Sequence, residues 1–142
     1  MIDILKLRPT KLQNCLLHKS CIDELLSCNF INSNILLRGR AGVGKTLICN
    51  IVKTKYPMVN IIENVNLFKL KKPTISTSNN LNLFSLSFDK IIDIVPLSKL
   101  ELLKQLSFLI GQNKPIKNNL YESINLYYPN INKILNHYLY EN

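Results

Sequence analysis

Gly39-Arg40-Ala41-Gly42-Val43-Gly44-Lys45-Thr46 decides the fold, because it satisfies the pattern G-x-x-x-x-G-K-[ST] without deviation. The apolar triplet Ile35-Leu36-Leu37 before it reads as a strand buried on both faces. After it, Leu47, Ile48, Ile51 and Val52 recur at helical spacing until Pro57 forbids continuation. Strand, glycine-rich turn and helix form the setting in which this pattern cradles phosphate. The glycines let successive backbone N–H groups turn toward a polyphosphate, and the helix N-terminus adds its positive dipole end. Lys45 is expected to reach the outer phosphates and the Thr46 hydroxyl to ligate magnesium. Only four glycines occur in 142 residues and three are in this loop, so their placement follows the loop's needs. A glycine-rich turn that merely happens to precede a helix is the bland alternative. The expectation is a nucleotide site built from Gly39 to Thr46 together with Leu47, taking ATP or ADP with Mg2+.

Working outward, Val59-Asn60-Ile61-Ile62-Glu63 reads as a second strand, Thr74-Ile75-Ser76-Thr77 as a third and Lys90 to Val95 as a fourth. With the loop's strand and helix they predict an α/β protein, a P-loop NTPase (AAA+-like) with a parallel sheet, over residues 1–95. On the N-terminal side, Ile4-Leu5-Lys6-Leu7-Arg8 alternates, and Ser20 with Asp23 signals a short helix to about Cys28. Residues 96–142 are expected to form a small C-terminal helical lid. Ser98-Lys99-Leu100-Glu101 is a capping box that opens a helix ending at Gly111. Two further helices, about 117–127 and 130–140, are separated by Pro129.

A phosphate loop needs a carboxylate from another strand to complete a magnesium shell and to orient water. Two candidates compete. Glu63 closes an apolar strand but is followed by Asn64, which cannot act as a base. Asp93 sits at a more usual distance from the loop yet has no acidic neighbour and stands close to Pro96. Glu63 is favoured, as catalytic residue and metal ligand beside Thr46. For Asp93 a strand-end polar residue without a catalytic role is the better reading.

Length and composition bound the rest. The chain is 46% hydrophobic and 19% charged, which suits one compact unit and argues against disorder. No apolar run approaches the ~18 residues of a membrane span. A soluble cytoplasmic protein is expected, from a bacterial or phage-infected cell. Cys15, Cys21, Cys28 and Cys49 lack zinc-site spacing and read as reduced, buried thiols, and His18 and His137 stand alone as ordinary side chains. Eighteen basic against nine acidic residues give +9, favouring polyanions such as DNA, bound without sequence preference. A skewed genome composition accounts for the same lysine excess equally well. The only arginines are Arg8, Arg38 and Arg40.

These segments resemble an AAA+ ATPase, and more narrowly a phage-type sliding-clamp loader subunit. The likeness is carried by Leu7-Arg8-Pro9-Thr10, Cys15-Leu16-Leu17, the loop's strand and the loop itself. Thr77-Ser78-Asn79-Asn80 is similar to the family's first sensor, which implies that Asn79 contacts the terminal phosphate or the lytic water. Pro96-Leu97-Ser98 and the helices behind it look like the lid, and Tyr128 to Lys133 falls where a lid-helix arginine senses nucleotide, at Asn132. The resemblance implies ATP-driven work on DNA with other clamp-loader subunits and a sliding clamp; a replicative helicase or initiator ATPase is the alternative. The departures are the missing lid arginine, the missing arginine finger and a short span between Lys45 and Glu63. They imply weak hydrolysis or none.

Overall fold

The computed structural model describes residues 9–65, 70–112, 117 and 119–140. The alternating segment Ile4 to Arg8, half of the Arg8-Pro9 feature, therefore lies outside the described residues. Four parallel strands form the sheet: β1 (Asn34–Arg38), β2 (Asn60–Ile62), β3 (Thr74–Ser78) and β4 (Lys90–Asp93), in the order β2-β3-β1-β4. The two inner strands, β1 and β3, are the most buried, β1 through its apolar run and β3 with Thr74, Ser76, Thr77 and Ser78 buried around Ile75. β3 pairs in register with β1 from Asn34↔Thr74 to Arg38↔Ser78. That register brings the last residues of β1, β2 and β3 to one edge of the sheet, where the glycine loop begins.

Helix α1 (Lys19–Leu26) precedes β1, and α2 (Lys45–Lys55) follows the loop. α1 starts one residue earlier than Ser20 suggested. Its cap is His18, whose Nδ1 accepts from the Ser20 N–H at 3.2 Å, so an imidazole does the work expected of a hydroxyl. α2 buries Ile48, Cys49 and Val52 against Ile35, Leu37, Ile75 and Ile92 of the sheet. The core includes Cys15, Cys21 and Cys49; burial pushes the thiols of Cys15 and Cys49 up to about 11 and about 12. Cys28 is only partly buried, against the expectation for all four, and all four are free thiols.

The C-terminal helices α3 (Lys99–Gly111), α4 (Leu120–Tyr127) and α5 (Ile131–Tyr140) enclose a core of their own, with Leu102, Leu106, Ile110, Ile124, Ile134 and Tyr138 among its buried residues. The capping box is present: the Glu101 N–H donates to Ser98 Oγ at 3.2 Å. His137 is not idle, since its Nδ1 lies 2.7 Å from the Oγ of fully buried Ser123 and ties α5 to α4. α4 begins at Leu120, later than the expected residue 117. Ile124 is fully buried at the centre of this core, and Ile124→Ala is expected to destabilise the fold by about 2–5 kcal/mol through a cavity that neighbours cannot fill. Denaturant unfolding checks this; a loss below about 1 kcal/mol would show that the three helices repack freely.

No helix among the described residues is long and apolar enough to cross a membrane.

Candidate nucleotide site

The turn between β1 and α2 can take its shape only with glycine at two places. Gly42 and Gly44 have φ of 83° and 104°, which lie in the left-handed region that side chains disfavour. At Gly42 space is short as well: an added Cβ would lie 3.0 Å from Nδ2 of Asn130. Val43 between them turns its side chain into the core and so anchors the loop. Gly39 is held by its N–H, which donates to the Ser78 carbonyl at 3.1 Å.

Lys45 is 7% exposed and lies along the loop. Its Nζ donates to the carbonyls of Gly39 and Arg40, the latter at 2.8 Å, and to Oδ1 of Asn79 at 2.8 Å. Burial holds its ammonium below the usual lysine range. A cation partly stripped of water and, among the described residues, coordinated only by neutral oxygens is poised for an anion. Asn79 stands directly after β3, the strand beside β1, which explains its reach.

Thr46, in the first turn of α2, donates its hydroxyl to Oε1 of Glu63 at 2.8 Å. Glu63 follows β2, one strand beyond β3. The structure thus brings together Lys45, Thr46, Glu63 and Asn79 from three separate segments, as the sequence suggested. A cavity of about 390 Å³ lies over them, lined from the loop side by Ala41 to Thr46 with Leu47 and from the sheet by Glu63, Asn64, Thr77 and Asn79. Gly39 and Arg40 do not line it; their contribution is the pair of carbonyls that hold Lys45.

Asp93 is elsewhere. Arg38 Nε and Nη2 donate to its two carboxylate oxygens at 2.8 and 3.1 Å, and Arg38 Nη1 donates to the Leu83 carbonyl at 3.0 Å. This fork raises the arginine's pKa, and it occupies the one carboxylate that rivalled Glu63. Asp93 does not line the cavity, so the strand-end reading of that residue is the one the geometry supports.

Sequence reasoning missed Thr77 and Asn130. Asn130 packs on Gly42 and, through its Oδ1, accepts the Lys133 N–H at 3.1 Å to cap α5. Asn132, the position matched to a lid arginine, also lines the cavity, with Ile131 and Leu135 beside it. The Pro-Asn pair before a helix was the available signal for the cap; nothing local indicated what it would touch. Leu16 and Leu17 line the cavity as well.

Thr46 and Glu63 present hard oxygen donors at one point, which is what magnesium takes. Among the described residues no group of three or more His, Cys, Asp or Glu could hold a metal ion. The donor set therefore fits a cation that draws its remaining ligands from water and from phosphate, and does not fit an all-protein cage.

No protein-family model and no curated protein matches the chain. Among solved structures it is similar to RuvB of Thermotoga maritima, a Holliday junction branch migration motor, with a TM-score of 0.59 and 15% identity over 83% of this chain. The chain spans 59% of that structure. The parallel sheet, the loop between β1 and α2 and this likeness together establish a P-loop NTPase fold of the AAA+-like kind.

Proposed function

We propose that the chain is an ATP-binding module that takes ATP or ADP with Mg2+ in the cavity over the glycine loop. The observation that carries this reading is Lys45, which lines that cavity and is buried yet coordinated, among the described residues, only by neutral oxygens. The loop N–H groups and the α2 N-terminus would receive phosphate, Lys45 would move from the Gly39 and Arg40 carbonyls onto it, and Asn79 would be freed toward the terminal phosphate or its attacking water. Thr46 directly, and Glu63 directly or through water, would hold magnesium, which when bound neutralises charge on the phosphates. Leu16, Leu17, Ile131 and Leu135 supply apolar walls of the kind a base needs. Displacement of a fluorescent nucleotide analogue by ATP, measured with magnesium and again with EDTA, tests the reading. An analogue that never binds, or that leaves only by non-specific dilution, would overturn it.

The finer reading is a module of a machine that works on DNA. Likeness to a DNA motor supports that class. A clamp-loader subunit, working with partner subunits and a sliding clamp, rests on the sequence resemblance, and a helicase or initiator ATPase remains the second reading within the class. DNA binding is expected to be weak, insensitive to sequence and steeply salt-dependent, because lysine carries almost all of the +9 charge and few arginines exist for bidentate base contacts. Anisotropy titrations at rising salt check this: affinity that stays flat, or that selects one sequence strongly, would contradict an electrostatic footprint.

A further inference from the structure

Glu63 has an awkward address for a residue that must hold one position. It is exposed, it follows a strand of only three residues at the sheet edge, and the chain leaves the strand in a turn at residues 63–64. The turn runs through Asn64, whose φ of 53° is left-handed and uncommon outside glycine. Before Glu63 the backbone is fixed by the pairing of Ile62 with Ser76. Behind it, both fixing bonds come from one residue. The Thr77 hydroxyl accepts from the Asn64 N–H at 3.2 Å, and the Thr77 carbonyl accepts from the Val65 N–H at 2.9 Å.

Thr77 is 3% exposed, sits on inner strand β3 and lines the same cavity. The carbonyl bond is available to any residue at that position. The hydroxyl bond is not, and valine, with the same shape, cannot accept it. A strand-forming need alone would be met as well by valine. We propose that Thr77 is a positioning residue whose hydroxyl clamps the Asn64 turn, keeps the Glu63 carboxylate over Thr46, and thereby sets how strongly magnesium supports nucleotide binding. This inference rests on the nucleotide reading of the cavity and goes beyond it, because Thr77 would touch neither the cation nor the phosphates to exert the effect.

The test is the ratio of ATP affinity in magnesium to ATP affinity in EDTA, read by equilibrium titration for the parent chain and five variants. Thr77→Val is expected to lower the ratio about three- to tenfold, the worth of one hydrogen bond. Thr77→Ser, which keeps the hydroxyl, should restore the ratio. Combining Thr77→Val with Glu63→Gln should lower it no further than Glu63→Gln alone, since both changes remove one contribution. Thr77→Ala lacks the hydroxyl in a smaller side chain and carries the same expectation where valine does not pack. A parent ratio that the hydroxyl-free variants leave unchanged, or full additivity in the double variant, overturns the inference and leaves the nucleotide site standing. A parent that binds no nucleotide overturns the site reading itself, and the inference with it.

Discussion

Lys45→Ala should weaken ATP and ADP binding roughly ten- to a hundredfold, the worth of a charge-assisted contact of about 1.5–3 kcal/mol. The side chain is the loop's only ammonium, and its partners in the structure are the Gly39 and Arg40 carbonyls and Asn79, all neutral. An incoming phosphate replaces these with a charged acceptor, so the exchange gains attraction in a site already partly dried. Removing the ammonium leaves acceptors that line or border an open cavity, where water satisfies them, and the fold should survive. Calorimetric titration of the parent and variant side by side reads the effect. Equal affinities would take the lysine, and with it the loop, out of the assigned role.

The second large effect is a missing one: the isolated chain should turn over ATP very slowly or not at all. An arginine finger contributes about 10³–10⁵ in rate to related phosphate-loop enzymes. No arginine follows Arg40 in the sequence, and Arg38 is committed to Asp93 and to the Leu83 carbonyl. Arg40 stands in the nucleotide's own loop, not on a surface facing a neighbour. Asn64 occupies the place after Glu63 where a second carboxylate would orient water, so the two losses should compound. An arginine donated by a partner subunit would restore turnover, and an active mixed complex is consistent with the account. Phosphate release by the purified chain measures this. Brisk release, abolished by Lys45→Ala, would contradict it, and the Arg38–Asp93 pairing means that Asp93 would not be the acid responsible.

Much of this was legible before the fold was known, for physical reasons that differ from element to element. The glycine loop is a local demand: positive φ at Gly42 and Gly44 and the side chains of Lys45 and Thr46 are all fixed within eight residues. Strand β1 announced itself because burial on both faces leaves an uninterrupted apolar triplet, whereas β3, rich in Ser and Thr, was marked by its β-branched residues after Pro73. Strand order is a different matter. Nothing in the residues of β2 or β4 says which lies beyond β3 and which beside β1, so Glu63 and Asp93 could be ranked but not separated. The Arg38–Asp93 ion pair, across 55 positions, is what separates them. The cap of α1 went to His18 because ring nitrogens accept as hydroxyl oxygens do, a choice that depends on rotamer and not on residue class. Asn132 does line the cavity, whereas the contact of Asn130 with Gly42 was not legible, since it depends on how α5 is docked.

Nucleotide is expected in the cavity between the glycine loop, the ends of β2 and β3, and the start of α5. Amide hydrogen exchange with and without Mg-ATP tests it most directly, because it reports where the ligand sits as well as whether it binds. Slowed exchange is expected in peptides covering residues 41–47, with accompanying protection around 63–65 and at the start of α5, and no such change when Lys45→Ala is challenged at the same nucleotide concentration. Protection confined to other parts of the chain, or an exchange pattern that Mg-ATP leaves untouched at saturating concentration, would contradict it.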